Sequence, residues 1–328
     1  MPLPGSPFAP SSSVAGEGEI VVALLPPGKQ VLRKCTYQYP LKLITPDAHK
    51  SGDDKQVTVC FLLTYGGGLV GGDHINLKAE LNVSTRTVIV TQGSTKIFKS
   101  PTRTVVSQQI LDVKIGAHAA LCYLPDPTQP FAESVYEQRQ TFYVEPDGSS
   151  NLLMLDWVSE GRRARGESWT LWSWKGRNEV REFDRQSKGR LLLRDAVMLH
   201  DGHFGNSGLV DKTDDLGILG TLIVYGPLLQ KLGEYLIEHF AQQPRIGAQN
   251  WAQTDGKSTG EANKAETDAK RGEVQDGLLW TAANVRGFVL VKFGARELDS
   301  ARRWLCSLLK EEGTVEKLFG HQALMCLR

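Results

Sequence analysis

Between Val57 and Tyr225 the chain runs through one short apolar or alternating segment after another and never settles into a helical period. The segments lie at 57–63, 75–83, 87–91, 105–115, 119–124, 140–145, 152–159, 168–174, 191–199 and 219–225. In the second of them Ile75, Leu77, Ala79, Leu81 and Val83 alternate with Asn76, Lys78, Glu80 and Asn82, the period of a strand buried on one face. Turn signals such as Gln92-Gly93-Ser94, Pro146-Asp147-Gly148 and Lys175-Gly176-Arg177-Asn178 separate the segments. Strands that follow one another without helices cover their apolar faces by stacking sheets. The expectation is therefore an α+β, mainly β fold of stacked, largely antiparallel β-sheets.

Directly after the first segment stand Gly66, Gly67, Gly68, Gly71, Gly72 and Asp73. Gly66, Gly68 and Gly71 satisfy the GxGxxG spacing of a dinucleotide loop, which would make the chain a nucleotide-dependent enzyme. Such a fingerprint must open a helix whose N-terminus faces the phosphates. The alternation from Ile75 replaces that helix with a strand, and no Gly-Lys-Ser or Gly-Lys-Thr closes a P-loop. What remains is strand, glycine-rich turn, strand, with glycines where the backbone needs positive φ or another group comes close. The nucleotide enzyme remains the alternative, and nucleotide binding at 66–71 would distinguish it.

A helical period appears late. After Pro227, Leu228, Leu229, Leu232, Tyr235, Leu236, His239 and Phe240 share one face, with proline suited to a first turn. A second helix is expected from Glu297 to Lys310, stopped by Gly313. These two helices flank the sheets, and a further strand is expected at 287–293. The stretch 249–275 is almost wholly polar and is expected to be a disordered insertion. Residues 1–18, rich in Pro, Ser, Gly and Ala without a basic or apolar signal region, read as a disordered tail. A single domain over 19–328 is the expected organisation.

Lys and Arg number 38 against 37 Asp and Glu, so no global field draws the chain to nucleic acid or to an anionic membrane. No apolar stretch approaches the roughly 20 residues that span a bilayer. The cysteines, 35, 60, 122, 306 and 326, are odd in number and form no CxxC. That pattern favours a reducing compartment, the cytoplasm, over a disulfide framework or a structural zinc site. Cys60 and Cys122 sit in apolar strands and are expected in the core.

The usual catalytic constellations do not occur: there is no HExxH, GxSxG or kinase set. His200-Asp201-Gly202-His203 is the one tight cluster of metal-ligand types, suited to Ni(II), Zn(II) or Cu(II), although a polar loop with no fixed facing geometry explains it as well. Asp156 and Glu160 leave the apolar run 152–155 for a loop carrying Arg162, Arg163, Arg165 and Glu167. Charges so near the interior are costly unless paired, so Arg162 or Arg165 is expected to pair with Glu160 or Glu167. The prolines of Pro125-Asp126-Pro127-Thr128-Gln129-Pro130 stiffen an irregular connection.

Together, GGGLVGGD at 66–73, TQGSTKIFKS at 91–100, LPDPTQPF at 124–131 and EGRRARGESW at 160–169 resemble, in this order, the urease accessory protein family UreD, also called UreH. The Asp126-Pro127 form looks like its eukaryotic, fungal or plant, branch. The resemblance implies a β-helix-like body of stacked sheets and a non-enzymatic scaffold and metallochaperone. It implies binding to UreF, which recruits the GTPase UreG, and docking on apo-urease to pass Ni(II), held transiently, through an internal polar tunnel. Asp73 and Glu167 match family motif positions and are the first candidates for that path. Glu160 and Asp156 follow, with His200 and His203 below them. A purely structural adaptor without metal transfer is the other reading.

Overall fold

The computed structural model describes residues 14–184, 189–201, 208–243 and 277–328. Alternation of apolar and polar side chains sorts its strands into layers. They are β1 (Glu17–Leu25), β2 (Lys29–Tyr37), β3 (Leu41–Ile44), β4 (His49–Lys50), β5 (Gln56–Thr64), β6 (Gly68–Leu69), β7 (His74–Leu81), β8 (Arg86–Val90), β9 (Thr95–Ile97) and β10 (Ser107–Ile115). There follow β11 (Ala120–Tyr123), β12 (Thr128–Pro130), β13 (Val135–Val144), β14 (Asn151–Ser159), β15 (Ser173–Glu182), β16 (Leu191–His200), β17 (Ile218–Tyr225), β18 (Leu279–Val285) and β19 (Phe288–Ala295). A 7-stranded sheet runs β16-β15-β13-β10-β7-β1-β2, and a 12-stranded sheet has the main path β18-β19-β17-β14-β11-β8-β5-β3.

From β5 to β15 the chain winds in repeated circuits. Each circuit takes a long strand of the larger sheet, a short strand, then a long strand of the smaller sheet: β5-β6-β7, β8-β9-β10, β11-β12-β13. Neighbours within a sheet therefore come from successive circuits and run parallel: β7 with β10, β10 with β13, β13 with β15, β5 with β8, β8 with β11 and β11 with β14. This corrects the expectation of largely antiparallel sheets. The sheets are mixed, and antiparallel pairing is confined to the flanks, in β1 with β2, β3 with β5, β4 with β5, β15 with β16, and β14-β17-β19-β18. The reason is that the turns carry the chain across to the facing sheet. Side-chain period is two in either kind of pairing, so alternation cannot distinguish them.

One core fills the space between the sheets, from Ile20, Leu77, Ile89, Leu111, Leu121, Phe142 and Leu152. The other lies between the larger sheet and the helices α2 (Gln230–Ala241), α3 (Leu298–Glu312) and α4 (Thr314–Phe319), while the short α1 (Leu209–Lys212) packs Leu209 and Val210 on the first core. Within that second core Val88, Cys122, Leu153 and Leu155 meet Leu232, Leu236, Leu305, Leu309 and Phe319. Every residue of β14 is buried, as its apolar run predicts for a strand covered on both faces. Gly313, in the left-handed region at φ 83°, ends α3. Leu318 and Phe319 are core residues.

Two further corrections concern boundaries. Of the segment 168–174 only Ser173 and Trp174 are in a strand, the start of β15, and 175–178 is not a turn: Lys175, Gly176, Arg177 and Asn178 lie within β15. Gly176 is there because the Trp174 ring folds over it, leaving 2.4 Å to a Cβ placed at 176. At the N-terminus β1 begins at Glu17, inside the expected tail, where the Gly16 amide donates to the Tyr39 carbonyl at 2.8 Å. The expected insertion 249–275 lies outside the described residues. Among the described residues no helix is long and apolar enough to cross a membrane.

Candidate functional site

The short strand of each circuit stacks on that of the next. Gly68 and Leu69 of β6 pair in parallel with Lys96 and Ile97 of β9, Thr95–Ile97 with Thr128–Pro130 of β12, and Thr128 with Val158 at the end of β14. Phe98 N donates to Leu69 O and Phe131 N to Ile97 O, each at 2.9 Å, continuing the rungs. The first three motifs thus hold the same station in successive circuits. The fourth, in the loop after β14, packs on the third: Gln129 Nε2 donates to Gly161 O at 3.0 Å.

The stacking explains the glycines. Gly68 is extended, with φ −178°, a conformation open to any residue, yet a Cβ there would meet Lys96 O at 2.4 Å. Gly71 faces Pro101 Cδ at 2.6 Å in the same sense. Gly66 and Gly67, at φ 76° and 73°, supply instead the left-handed turn into β6, and Gly72, at φ 93°, the one into β7. A strand, not a helix, follows them.

Asp73 is half-buried and closes this turn. Its Oδ2 accepts from Val70 N at 3.0 Å, while its own amide donates to Val70 O at 2.9 Å. Glu167 is held by Arg162, whose Nε donates to Oε2 at 2.8 Å and whose Nη2 contacts Oε1. The Ala132 amide donates to the same Oε2 at 3.3 Å. The Arg162 bond, outweighing burial, holds the Glu167 carboxyl below the usual range. The Arg162 guanidinium also lies 3.9 Å from the Phe131 ring centroid, tying the fourth motif to the third. Glu160, buried, accepts from Ser168 Oγ and meets Arg163 Nε at 3.2 Å. The expected pairing of this loop is thus found for Arg162 with Glu167, with Arg163 instead of Arg165 on Glu160. His200 is exposed at the end of β16, beside Asp201, which pairs with Arg103 at 3.1 Å. His203 lies outside the described residues. Among the described residues no group of three or more His, Cys, Asp or Glu could hold a metal ion.

Asp156 lies elsewhere, in a polar seam between the two sheets. Its Oδ1 accepts from Gln138 Nε2 at 2.8 Å and its Oδ2 from Asn178 Nδ2 at 2.7 Å. Burial pushes the Asp156 carboxyl up, against the pull of these two donors. On the smaller sheet Gln140, Asn178 and Asp195 stand in one row across β13, β15 and β16. On the larger sheet Asp156, Thr221 and Lys292 form the facing row across β14, β17 and β19. Lys292 Nζ crosses to Asp195 Oδ1 at 2.5 Å and meets Thr221 Oγ1 at 3.3 Å. Gln140 Oε1, Asn178 Oδ1 and Asp195 Oδ2 are buried without a hydrogen-bond partner. The sequence reading missed this set apart from Asp156. Its signal is legible in β13, where Tyr136, Gln138, Gln140 and Phe142 share the inward parity.

Three cavities lie in sequence along the seam and share wall residues. The first, about 380 Å³, is bounded by Asp156, Trp157, Trp174, Thr221, Trp280 and Lys292. It shares Asp156 and Trp157 with a constriction of about 10 Å³ beside Gln109, Gln138 and Gln140. That constriction shares Thr91 and Asp126 with a third cavity of about 430 Å³, lined by Arg302 and Arg328. Asp126 there accepts from Thr91 Oγ1 at 3.0 Å and pairs with Arg302 Nη2 at 2.6 Å.

Fold and site define a β scaffold in which recurrent motifs build one wall and a polar seam crosses the interior. The family model for the UreD urease accessory protein matches residues 15–326. Over 223 residues the chain is 35% identical to the urease accessory protein UreD of Sorangium cellulosum, covering 68% of this chain and 65% of that protein. It is 32% identical over 223 residues to urease accessory protein D of Arabidopsis thaliana, covering 68% of this chain and 72% of that one. An uncharacterized ureD-like urease accessory protein of Schizosaccharomyces pombe is 29% identical over 277 residues, 84% of this chain and 87% of the other. The chain belongs to the UreD urease accessory protein family, whose members are non-catalytic maturation factors linked to nickel insertion into urease.

Proposed function

We propose that this chain is a scaffold and transient nickel carrier acting in the cytoplasm, which binds UreF, and through it the GTPase UreG, docks on apo-urease, and passes Ni(II) along the polar seam. The observation that carries this reading is the line of adjacent cavities whose walls bring the side-chain oxygens of Asp156, Gln138, Gln140, Thr91 and Asp126 into an otherwise apolar interior. Amide and carboxylate oxygens bind a borderline cation such as Ni(II) more weakly than thiolate or imidazole cages, and cargo must be released. The constriction admits about one water-sized group at a time, so a passing ion would exchange its hydration shell for seam oxygens. The repeated circuits support a β-helix-like description of the body. Of the carboxylates expected on the path, Asp156 has the strongest support, because it lines two of these cavities.

Asp156→Asn in urease co-expressed with its accessory proteins tests this. We expect nickel content and activity of the purified urease to fall at least about tenfold, with UreF still co-purifying. Unchanged urease nickel would sink the reading. A structural adaptor without metal transfer is favoured by one observation, the engagement of Asp73 and Glu167 in the protein's own bonds. Under that reading Asp73→Ala and Glu167→Ala change partner pull-down and leave nickel in the urease that is still matured unaltered. Under the carrier reading they lower its nickel with partner binding intact.

A further inference from the structure

Among the described residues Lys292 is the one basic side chain that reaches into the seam from the larger sheet. Its neighbours in register are Thr221 and Thr281, and it crosses to the opposite sheet to meet Asp195. Asp195 is 8% exposed at its side chain, whereas the Lys292 side chain is 42% exposed, so the ammonium sits at the solvent mouth and its carboxylate inside. Asp195 offers the ammonium only Oδ1; its Oδ2, with Asn178 Oδ1 and Gln140 Oε1 beside it in the same row, has no partner. Three buried acceptors without donors are a costly arrangement for a folded protein. A hydrated cation at Asp195 reaches its Oδ2 directly and its neighbour Asn178 Oδ1 through a water, whereas the ammonium reaches Asp195 Oδ1 and Thr221 only.

We propose that the Lys292 ammonium occupies the position of a divalent cation and acts as its displaceable counter-ion at this mouth. The proposal rests on the carrier reading above and adds a resident competitor to it. With no metal present, the ammonium neutralises Asp195, which would otherwise be a buried, uncompensated charge. An entering hydrated cation takes the carboxylate and, through its waters, the Asn178 oxygen on the neighbouring strand, and the flexible lysine stem swings into solvent. The metal must therefore outcompete an internal cation, which lowers its affinity and speeds its departure. Arg302 on Asp126 stands at the other cavity as a less mobile counterpart, with its side chain 22% exposed and its Nε buried without a partner.

The test titrates the full-length chain with Ni(II) alone, by calorimetry, for wild type, Lys292→Met, Lys292→Arg, Lys292→Met with Asp195→Asn, and Asp156→Asn. Removing one charge a few ångströms from the ion is expected to tighten Ni(II) binding in Lys292→Met by at least about tenfold. Lys292→Arg should stay near wild type, and the double variant should lose the gain. Lys292→Gln, which keeps a donor for Asp195, serves the same comparison if the methionine variant unfolds. If Asp156→Asn weakens Ni(II) binding while neutral residues at 292 leave it unchanged or weaker, the route stands and the counter-ion falls. If no variant alters Ni(II) binding, both fall.

Discussion

The motif ladder and the interior seam are built from similar materials, polar side chains on or beside strands, yet they settle their charges in opposite ways. In the ladder Glu167 is answered by Arg162 and Ala132, and Asp73 by the Val70 amide. In the seam Asp156 is answered by neutral amides, and three neighbouring oxygens are not answered at all. A network satisfied by the protein itself is rigid, and one left incomplete has capacity for an outside group. The contrast teaches that the motif carboxylates Asp73 and Glu167 are satisfied by the protein's own bonds, whereas the unanswered oxygens of the seam belong to residues that form no motif.

The contrast breaks most readily at Gly68. Gly68→Ala forces a Cβ to 2.4 Å from Lys96 O and is expected to cost about 2–3 kcal/mol, as overpacking between backbones does. Urea unfolding measures it, and an unchanged midpoint would mean that the ladder is loosely stacked. Next is Gly67→Ala, where nothing lies within 4 Å of the added Cβ and only φ 73° opposes it. Its expected cost is about 1–2 kcal/mol, so the difference between the two glycines isolates stacking from turn strain.

Smaller effects separate ladder from seam by sign. Asp156 has a raised carboxyl, chiefly from burial, so its contribution favours the fold below the unfolded aspartate range near pH 3.8–3.9. That contribution is lost as pH rises through the folded value. Asp156→Asn should therefore raise the thermal midpoint at pH 7 relative to wild type and lose that advantage near pH 4. Glu167 has a lowered carboxyl, chiefly from Arg162. Its contribution is present above the unfolded glutamate range and fades as pH falls through the folded value. Glu167→Gln should lower the midpoint at pH 7, by the least of the four, and match wild type in acid. Parallel pH profiles for the two variants would erase the distinction between ladder and seam.

Much of the scaffold was legible because burial leaves a period. The segments at 57–63 and 152–159 became β5 and β14, and the helix expected at Glu297 to Lys310 became α3, Leu298–Glu312. Parallel pairing was not legible, since facing and neighbouring sheets demand the same alternation. Gly176 misled because a glycine sheltering under its own neighbour's ring looks like a turn. Strands β1 to β3 escaped because their exposed positions break the apolar pattern; β2 alone is largely half-buried or exposed. The Arg162 to Glu167 clamp followed from charge density beside a buried strand. The seam did not, because Gln140, Asn178 and Asp195 lie far apart in sequence and meet only through register.

The winding of the chain also limits how such a protein can vary. Within β5–β13 each circuit delivers one strand to each wall and one rung to the ladder, so this wound part of the two walls grows together, and only the antiparallel flanks extend one wall alone. In the wound part, length can change by whole circuits, which lengthen both walls and the ladder at once, or in connecting loops, which leave all three untouched.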